Sequence, residues 1–439
     1  MHFRASEVAA AVAGGLVGDD VQIDGAGIDS RSMRPGQLFV PIVAARDGHE
    51  FVAAAADGGA SAYLTSQGTD PDITLPAITV TDTAAALADL GGAARDRLPE
   101  RVVGVTGSVG KTSTKDLLAG VLATTYRTTA SEKSFNNELG LPLTLAGAPD
   151  DTEAVVVEMG ARGIGHIDLL CGIARPTVGI ITRVEGVHLE LFGDIESVAL
   201  AKGELVEALP VDGLAVLNAD DERVAAMASR TDAGVLTFGL SSSSDVHASD
   251  VALDDQLRAS FRLHTPWGEA DVRLDARGEH QVPNALAAAA AAGWLGVPVD
   301  EIPSGLLSAA LSGLRMELVT TPAGVTVIND AYNANPTSMA AALQSLAALD
   351  ARRRVAVLGT MAELGSDSAA QHAAIAKRAY DLGIEVIAVD ESHYGNVARH
   401  VANVDGALAE LADLAAGDAV LVKGSRVAAL ERVATALGA

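Results

Sequence analysis

The chain has 439 residues, 49% of them hydrophobic but only 3% aromatic, with a single cysteine and a formal charge of −26. That length suits about three domains, and the acidity argues against nucleic acid or an anionic membrane as the main partner, since both need a basic surface. Cys171 alone can form no internal disulfide, no stretch reaches the roughly 18 apolar residues of a membrane span, and the N-terminal "MHFRASEVAAAVAGGLVGDD" lacks the apolar core of a signal peptide, so a cytoplasmic protein without membrane insertion is expected.

Along the chain three blocks are expected, 1–98, 99–313 and 314–439. The first shows short strands and turns, in "VQIDGAGIDS", "GQLFVPIV", "SAYLTS" and "PAITV". The charged break "RDRLPER" follows. From Val102 strand and helix alternate: "RVVGVT", a helix from Thr112, "AVVVEMG", "TVGIIT" and "GLAVLN". These near-continuous apolar runs predict a parallel sheet covered on both faces. The alternating "HASDVALDDQLRASFRLHTPWGEADVRL" predicts an antiparallel appendage, and "VPNALAAAAAAGWLG" a helix. After a second break near "LSGLRMELV", the runs "GVTVIND", "RVAVLGT", "IEVIAVD" and "DAVLVKG" alternate with helices. That predicts a further doubly wound unit, so the fold class is α/β throughout.

The stretch "GVTGSVGKTSTK" carries the first chemistry. Val105 stands where a strict G-x-x-x-x-G-K-[ST] motif has its first glycine. What remains is Gly107-x-x-Gly110-Lys111-Thr112 between an apolar strand and a helix. Glycines there let backbone N–H groups close on phosphate oxygens, and the helix N-terminus adds its positive end. Lys111 would reach the β- and γ-phosphates and the Thr112 hydroxyl a Mg²⁺ ion. The alternative is an ordinary Gly-rich turn.

Ligands of a doubly wound sheet sit beyond the carboxyl ends of its strands. Glu158 ends "AVVVE", Asp330 ends "VTVIND", and His188 follows "VGIIT" by a short loop. A lone acid there could simply turn into solvent, but two acids and a histidine beside a phosphate loop point to metal or nucleotide binding. His166, in "GARGIGHID", reads as a helix-start residue instead. In "IESVALAKGELVEAL", Lys202 falls inside the apolar stripe of Ile195, Val198, Leu205 and Leu209. A buried lysine must be paired, neutralised or modified, and a neutral one can react with CO₂ to give an anionic carbamate. The alternative is a solvated lysine whose stem snorkels past Gly203.

These residues resemble the Mur ligase family. The resemblance covers all three blocks: "TGSVGKTSTK", "NNELGLPLTL", "VVVEMGARGIGHI", "HLELFGD", "AKGELVEAL", "NADD", "VPNALAAAAA", "LRMELV", "NDAYNANPTSM", "LGTMAELG" and "VKGSR" fall in family order. "IDSRSMRPGQLFVPI" and "RDGHEF" are similar to the family's UDP-binding domain. The resemblance implies a small UDP-binding domain, a central P-loop ATPase-like domain and a C-terminal Rossmann-like domain.

The resemblance also implies an ATP-binding set of Thr106, Gly107, Ser108, Val109, Gly110, Lys111, Thr112, Ser113, His280, Asn284, Arg315 and Asp330. Thr112 and Glu158 would hold one Mg²⁺, and His188 with a carbamylated Lys202 a second. Lys111, Glu158, His188 and Lys202 would be catalytic. Ser30 and Arg31 would meet the UDP moiety, and Asn137, Asn333 and Asn335 other parts of the substrates, although the last two also suit plain turn chemistry.

The implied reaction adds D-alanyl-D-alanine to a UDP-N-acetylmuramoyl-tripeptide at the cost of ATP, in a monomer that closes about hinges near 98–101 and 312–316. The alternatives are another amino-acid-adding ligase of the family, a folylpolyglutamate-synthase-like ligase, a P-loop kinase and a nucleotide switch. The D-N-P-R signature of the diaminopimelate- or lysine-adding relative is absent from the sequence.

Overall fold

The computed structural model describes residues 1–132, 135–186 and 189–438. His188 lies outside the described residues. The chain is α/β, and its sheets are mainly parallel. Among the described residues the central sheet has nine strands, in the order Gly268–Arg277, Arg258–Thr265, Val246–Leu253, Gly234–Gly239, Leu214–Asn218, Val178–Ile181, Val102–Thr106, Ala154–Glu158, Thr128–Ala130. From Thr128–Ala130 to Val246–Leu253 the pairs are parallel, and the remaining two pairs are antiparallel. The expected antiparallel appendage is therefore no separate sheet. Phe238 pairs with Val246 and Gly239 with His247, and this parallel step joins it to the central sheet. Alternation in sequence reports which face is buried, not which strand lies alongside.

The central parallel strands Val102–Thr106, Ala154–Glu158, Val178–Ile181 and Leu214–Asn218 are apolar runs buried on both faces, as their composition predicts, whereas Thr128–Ala130 and Gly234–Gly239 are partly exposed. One face is covered by the helix Gln281–Trp294. Residues 285–292 of that helix are all at 0% exposure, so alanine fills the space that aromatics fill elsewhere. Small side chains let this helix lie close to the phosphate-loop helix Lys111–Leu122, with which it is in contact. The other face shares one apolar cluster with the N-terminal block, from Phe3 and Leu90 to Val155 and Leu205. Helix Thr83–Arg95 packs on helix Gly140–Ala146, where a Cβ on Gly91 would lie 2.7 Å from Pro142. The buried Arg95 guanidinium donates to Ala174 O at 2.7 Å and to Pro99 O at 3.1 Å, which ties residues 98–101 to the central block.

The C-terminal sheet has six strands, in the order Glu317–Thr320, Thr326–Asn329, Asp418–Lys423, Arg353–Leu358, Glu385–Val389, Ala398–Val401. Only its first pair is antiparallel. The N-terminal block carries a five-stranded sheet, Gly15–Val17, Ala77–Thr79, Ala62–Thr65, Leu38–Phe39, Ala26–Gly27.

Candidate active site

The phosphate loop starts where strand Val102–Thr106 ends. Gly107 has φ +148°, and a Cβ there would lie 1.9 Å from Thr182 Oγ1. Gly110 has φ +85°, and a Cβ there would lie 2.5 Å from Asn284 Oδ1. Each glycine is thus required twice, for its backbone conformation and for the close approach. The Thr182 hydroxyl donates to Val109 O at 2.6 Å, and Ser108 Oγ donates to Glu185 O at 3.0 Å. The loop is held from beneath before any ligand arrives. Val105 is fully buried in the strand, so the short loop simply begins two residues later than the strict motif.

Lys111 opens the helix, and its ammonium donates to Gly107 O at 2.7 Å. Burial, reinforced by Arg315 and opposed by Glu158, lowers its pKa from the ordinary lysine value. Thr112 Oγ1 donates to Glu158 Oε2 at 2.8 Å, and Asn136 Nδ2 donates to Glu158 Oε1 at 2.8 Å. Glu158 ends its strand at 1% exposure.

Helix Ile195–Glu207 is capped by Asp194, whose Oδ1 accepts the Ser197 amide at 2.7 Å. Lys202 on this helix is 3% exposed and lines the same cavity as Lys111 and Glu158. Among the described residues its ammonium has no hydrogen-bond or ion-pair partner. Burial first, then the Lys111 charge, holds it well below the ordinary lysine pKa, because both disfavour the charged form. The solvated alternative is excluded. Gly203 makes room for a neighbouring side chain: a Cβ there would lie 1.8 Å from Arg230 Nη1. The Arg230 guanidinium rests on this turn and donates to Leu200 O at 2.9 Å and Ala199 O at 3.2 Å.

The C-terminal segment completes the site. Arg315 Nη2 donates to Thr112 Oγ1 at 3.0 Å, and its guanidinium lies 4.3 Å above the Tyr332 ring. The flanking Leu314 and Met316 have φ +59° and +52°, which is strained for side chains of this size. Three hydrogen bonds hold that conformation: Ser312 N to Asp116 Oδ2 at 2.8 Å, Met316 N to Asp330 Oδ1 at 3.2 Å, and Tyr332 N to Leu314 O at 3.3 Å. The buried Lys423 ammonium donates to Asp330 Oδ2 and to Asn333 O. Burial, opposed by Asp330 and helped by Lys423, lowers the His280 pKa, so its ring is favoured neutral.

These groups share one cavity of about 580 Å³ between the central and C-terminal sheets. Gly107, Ser108, Val109, Gly110, Lys111, Thr112, Ser113, Asn137, Glu158, Lys202, His280, Asn284, Arg315, Asp330, Asn333 and Asn335 all line it. Thr106 does not: its hydroxyl donates to Met159 O beneath the loop. Asn335 Oδ1 caps helix Pro336–Ala348 by accepting from Ser338 N at 2.9 Å, and Asn137 Oδ1 accepts from Gly140 N at 2.9 Å. Their amide oxygens are thus spent on local structure, the turn chemistry foreseen for Asn335. Ser30 and Arg31 lie apart in the N-terminal block, where Arg31 pairs with Asp29 at 2.7 Å.

Sequence reasoning missed Asn136, Arg162, Thr182, Asn218, Tyr332 and Lys423, which also line the cavity, and it set His166 aside. Asn136, Arg162, Asn218, Tyr332 and Lys423 sit within quoted motifs, whereas Thr182 carries only the signal of a polar residue ending an apolar strand.

Hard oxygen donors converge at Thr112 and Glu158, as a Mg²⁺ site requires. Arg315 Nε is buried and unpartnered among the described residues, as it would be when awaiting an anion. A separate group, His372, Glu391 and His393, has metal-like spacing. There His372 Nε2 accepts the Met361 amide at 2.8 Å and Nδ1 lies 2.7 Å from Ser368 O, so both ring nitrogens are used.

Comparison with known proteins accords with this geometry. The Mur ligase middle domain pattern matches residues 105–292, and the Mur ligase glutamate ligase domain pattern matches residues 314–426. The UDP-N-acetylmuramoyl-tripeptide--D-alanyl-D-alanine ligase of Mycobacterium bovis is 41% identical over 93% of this chain and 91% of its own. A crystal structure of MurF from Acinetobacter baumannii superimposes with a TM-score of 0.90 at 30% identity, covering 100% of this chain and 99% of that one. The MurF ligase of Thermotoga maritima in complex with ADP superimposes with a TM-score of 0.82 at 27% identity, covering 94% and 96%. The chain belongs to the Mur ligase family.

Proposed function

We propose that the chain joins D-alanyl-D-alanine to a UDP-N-acetylmuramoyl-tripeptide, at the cost of ATP, in the synthesis of peptidoglycan precursors. The observation that carries this reading is the meeting of Lys111, Thr112, Glu158, Lys202 and Arg315 in one cavity built from two sheets. The names of the full-length relatives support the substrates, and the ADP complex of the Thermotoga maritima protein supports the nucleotide. The reading places the work in the cytoplasm, in a monomer; no helix among the described residues is long and apolar enough to cross a membrane. The blocks 1–98, 99–313 and 314–439 are read as its UDP-binding, ATP-binding and C-terminal domains.

The terminal carboxylate of the tripeptide attacks the γ-phosphorus of ATP, and ADP leaves. The amine of D-alanyl-D-alanine then attacks the acyl carbon, a tetrahedral intermediate collapses, and inorganic phosphate departs. Such chemistry depends on positioning and on neutralising charge. Lys111 exchanges its two loop carbonyls for phosphate oxygens. The loop amides and the helix N-terminus cradle the β-phosphate. Arg315 moves from Thr112 to the γ-phosphate and satisfies its orphaned Nε. Thr112 and Glu158 would hold a Mg²⁺ that neutralises phosphate charge.

Burial makes the Lys202 ammonium readier to lose its proton, and a neutral amine is suited to form a carbamate, the added carboxylate that the family resemblance assigns to a second Mg²⁺ with His188. The cavity lies between two sheets, so closure of the C-terminal sheet would exclude water from the acyl phosphate.

Phosphate release from ATP in the presence of the tripeptide, measured with and without the dipeptide, tests the assignment. Release that depends on both substrates is expected. Release independent of the dipeptide would point to a simple ATPase, and ADP formed with a stable phosphorylated tripeptide and no free phosphate to a kinase.

A further inference from the structure

Between Glu158 and helix His166–Ala174 runs a glycine-rich loop, with Gly160, Gly163 and Gly165. At its start, the Gly160 amide donates to Asn136 O at 2.7 Å. At its end, the helix has no cap of its own: Gly165 is the N-cap, at φ +88°, and offers no side chain. The cap comes from elsewhere. Glu204 Oε1 accepts the Gly165 amide at 2.6 Å, and Oε2 accepts the Asp168 amide at 2.9 Å. This carboxylate is only 9% exposed, and two N–H groups plus the positive end of the helix compensate its charge.

Glu204 stands two residues after Lys202 on the same helix. Residues so spaced leave a helix about 200° apart. One side chain therefore enters the cavity while the other grips the loop. The loop brings Arg162 and His166 to the cavity wall, and the Arg162 amide donates to His166 Nδ1 at 3.4 Å. Among the described residues the Arg162 guanidinium has no partner. Three glycines give this loop many conformations to lose, and a binding residue on it is useful only if the loop is held.

We propose that Glu204 is a positioning residue for binding of the peptide substrate. It clamps the end of the glycine-rich loop, and with it Arg162 and His166, to the helix that carries Lys202. The carboxylate-bearing peptide is the ligand class that an unpaired guanidinium on the same cavity wall as an imidazole would take, whereas the ATP phosphates are met by the separate loop around Lys111. The inference rests on the ligase reading given above.

The test compares Glu204→Ala with the wild-type chain. KM for the UDP-tripeptide should rise about tenfold or more, the loss of a charge-assisted pair of hydrogen bonds, while KM for ATP stays within about twofold. Hydrogen exchange over residues 160–168 should accelerate, with residues 111–122 unchanged. This readout needs no turnover, so it reports on the clamp even if the ligase reading fails. Adding Arg162→Ala to Glu204→Ala should raise KM little beyond Arg162→Ala alone. Should Glu204→Ala not fold, Glu204→Gln, with the same shape and a weaker acceptor, is read by the same measurements. An unchanged KM for the tripeptide, an equal rise for ATP, or exchange unaltered over 160–168 would overturn the proposal.

Discussion

Arg315 donates to the Thr112 hydroxyl at 3.0 Å although 203 residues separate them. The same hydroxyl donates to Glu158, so a residue of the last segment already sits where phosphate and metal chemistry is expected. Arg315→Ala should lower turnover by about 10²–10³-fold, the scale of removing one donor aimed at developing charge. Arg315→Lys should recover only part of it, because a lysine has no fork to span two oxygens. Thermal stability should change little. A wild-type rate in Arg315→Ala would remove this residue from the phosphate site.

Lys111→Ala should abolish measurable turnover, a loss of about 10²-fold or more, while the chain stays folded. Among the described residues the lysine bonds only to carbonyls of its own loop, Gly107 and Ser108, and Thr182 and Glu185 hold that loop independently. Circular dichroism and melting would check the fold, and an ATP-analogue titration the binding. Retained ATP binding at wild-type affinity would show that the nucleotide lies elsewhere.

Lys202 links stability to pH. Burial and the Lys111 charge hold its pKa well below the ordinary 10.5, so the unfolded chain binds this proton more firmly than the folded one. Its contribution is therefore intact above the unfolded value, is lost as pH falls toward the depressed folded value, and stays lost below it. Lys202→Met removes the ammonium and keeps an unbranched stem. At neutral pH its apparent Tm should exceed that of the wild type by about 1–3 °C, and the gap should narrow as pH rises toward the ordinary lysine value. Its activity should be nearly absent. The carbamate reading adds that wild-type enzyme stripped of CO₂ at mildly acidic pH loses activity and regains it with bicarbonate. A fully active, no more stable Lys202→Met would return the lysine to an ordinary packing role.

Gly203 and Arg230 form a steric pair. In an open helix, Gly→Ala stabilises by about 0.5–1 kcal/mol. Here the added Cβ would meet Arg230 Nη1 at 1.8 Å and displace a guanidinium that also pairs with Glu207 at 2.9 Å. Gly203→Ala should therefore destabilise the wild-type chain yet stabilise Arg230→Ala. A double-mutant cycle by chemical denaturation reads this change of sign. The same sign in both backgrounds would mean that Arg230 does not rest on this turn.

The sequence by itself determined the parallel strands, because residues buried on both faces must be apolar throughout, and it determined the phosphate loop, because backbone donors at a helix N-terminus require glycine. It also singled out Lys202, since a charge inside an apolar stripe breaks a local pattern. Tertiary structure decided the rest. The position of Arg315 against Thr112 depends on two strained backbone angles at Leu314 and Met316, and no local propensity favours them. The cap that Glu204 gives to Gly165 joins two helices 39 residues apart, so each looks ordinary alone. Asn335 reads in the sequence as a substrate contact with a turn as the alternative, and only the Ser338 amide in place shows where its oxygen goes. Spacing along the chain fixes what short-range sterics and burial demand, whereas distances across it exist only once the sheets have packed.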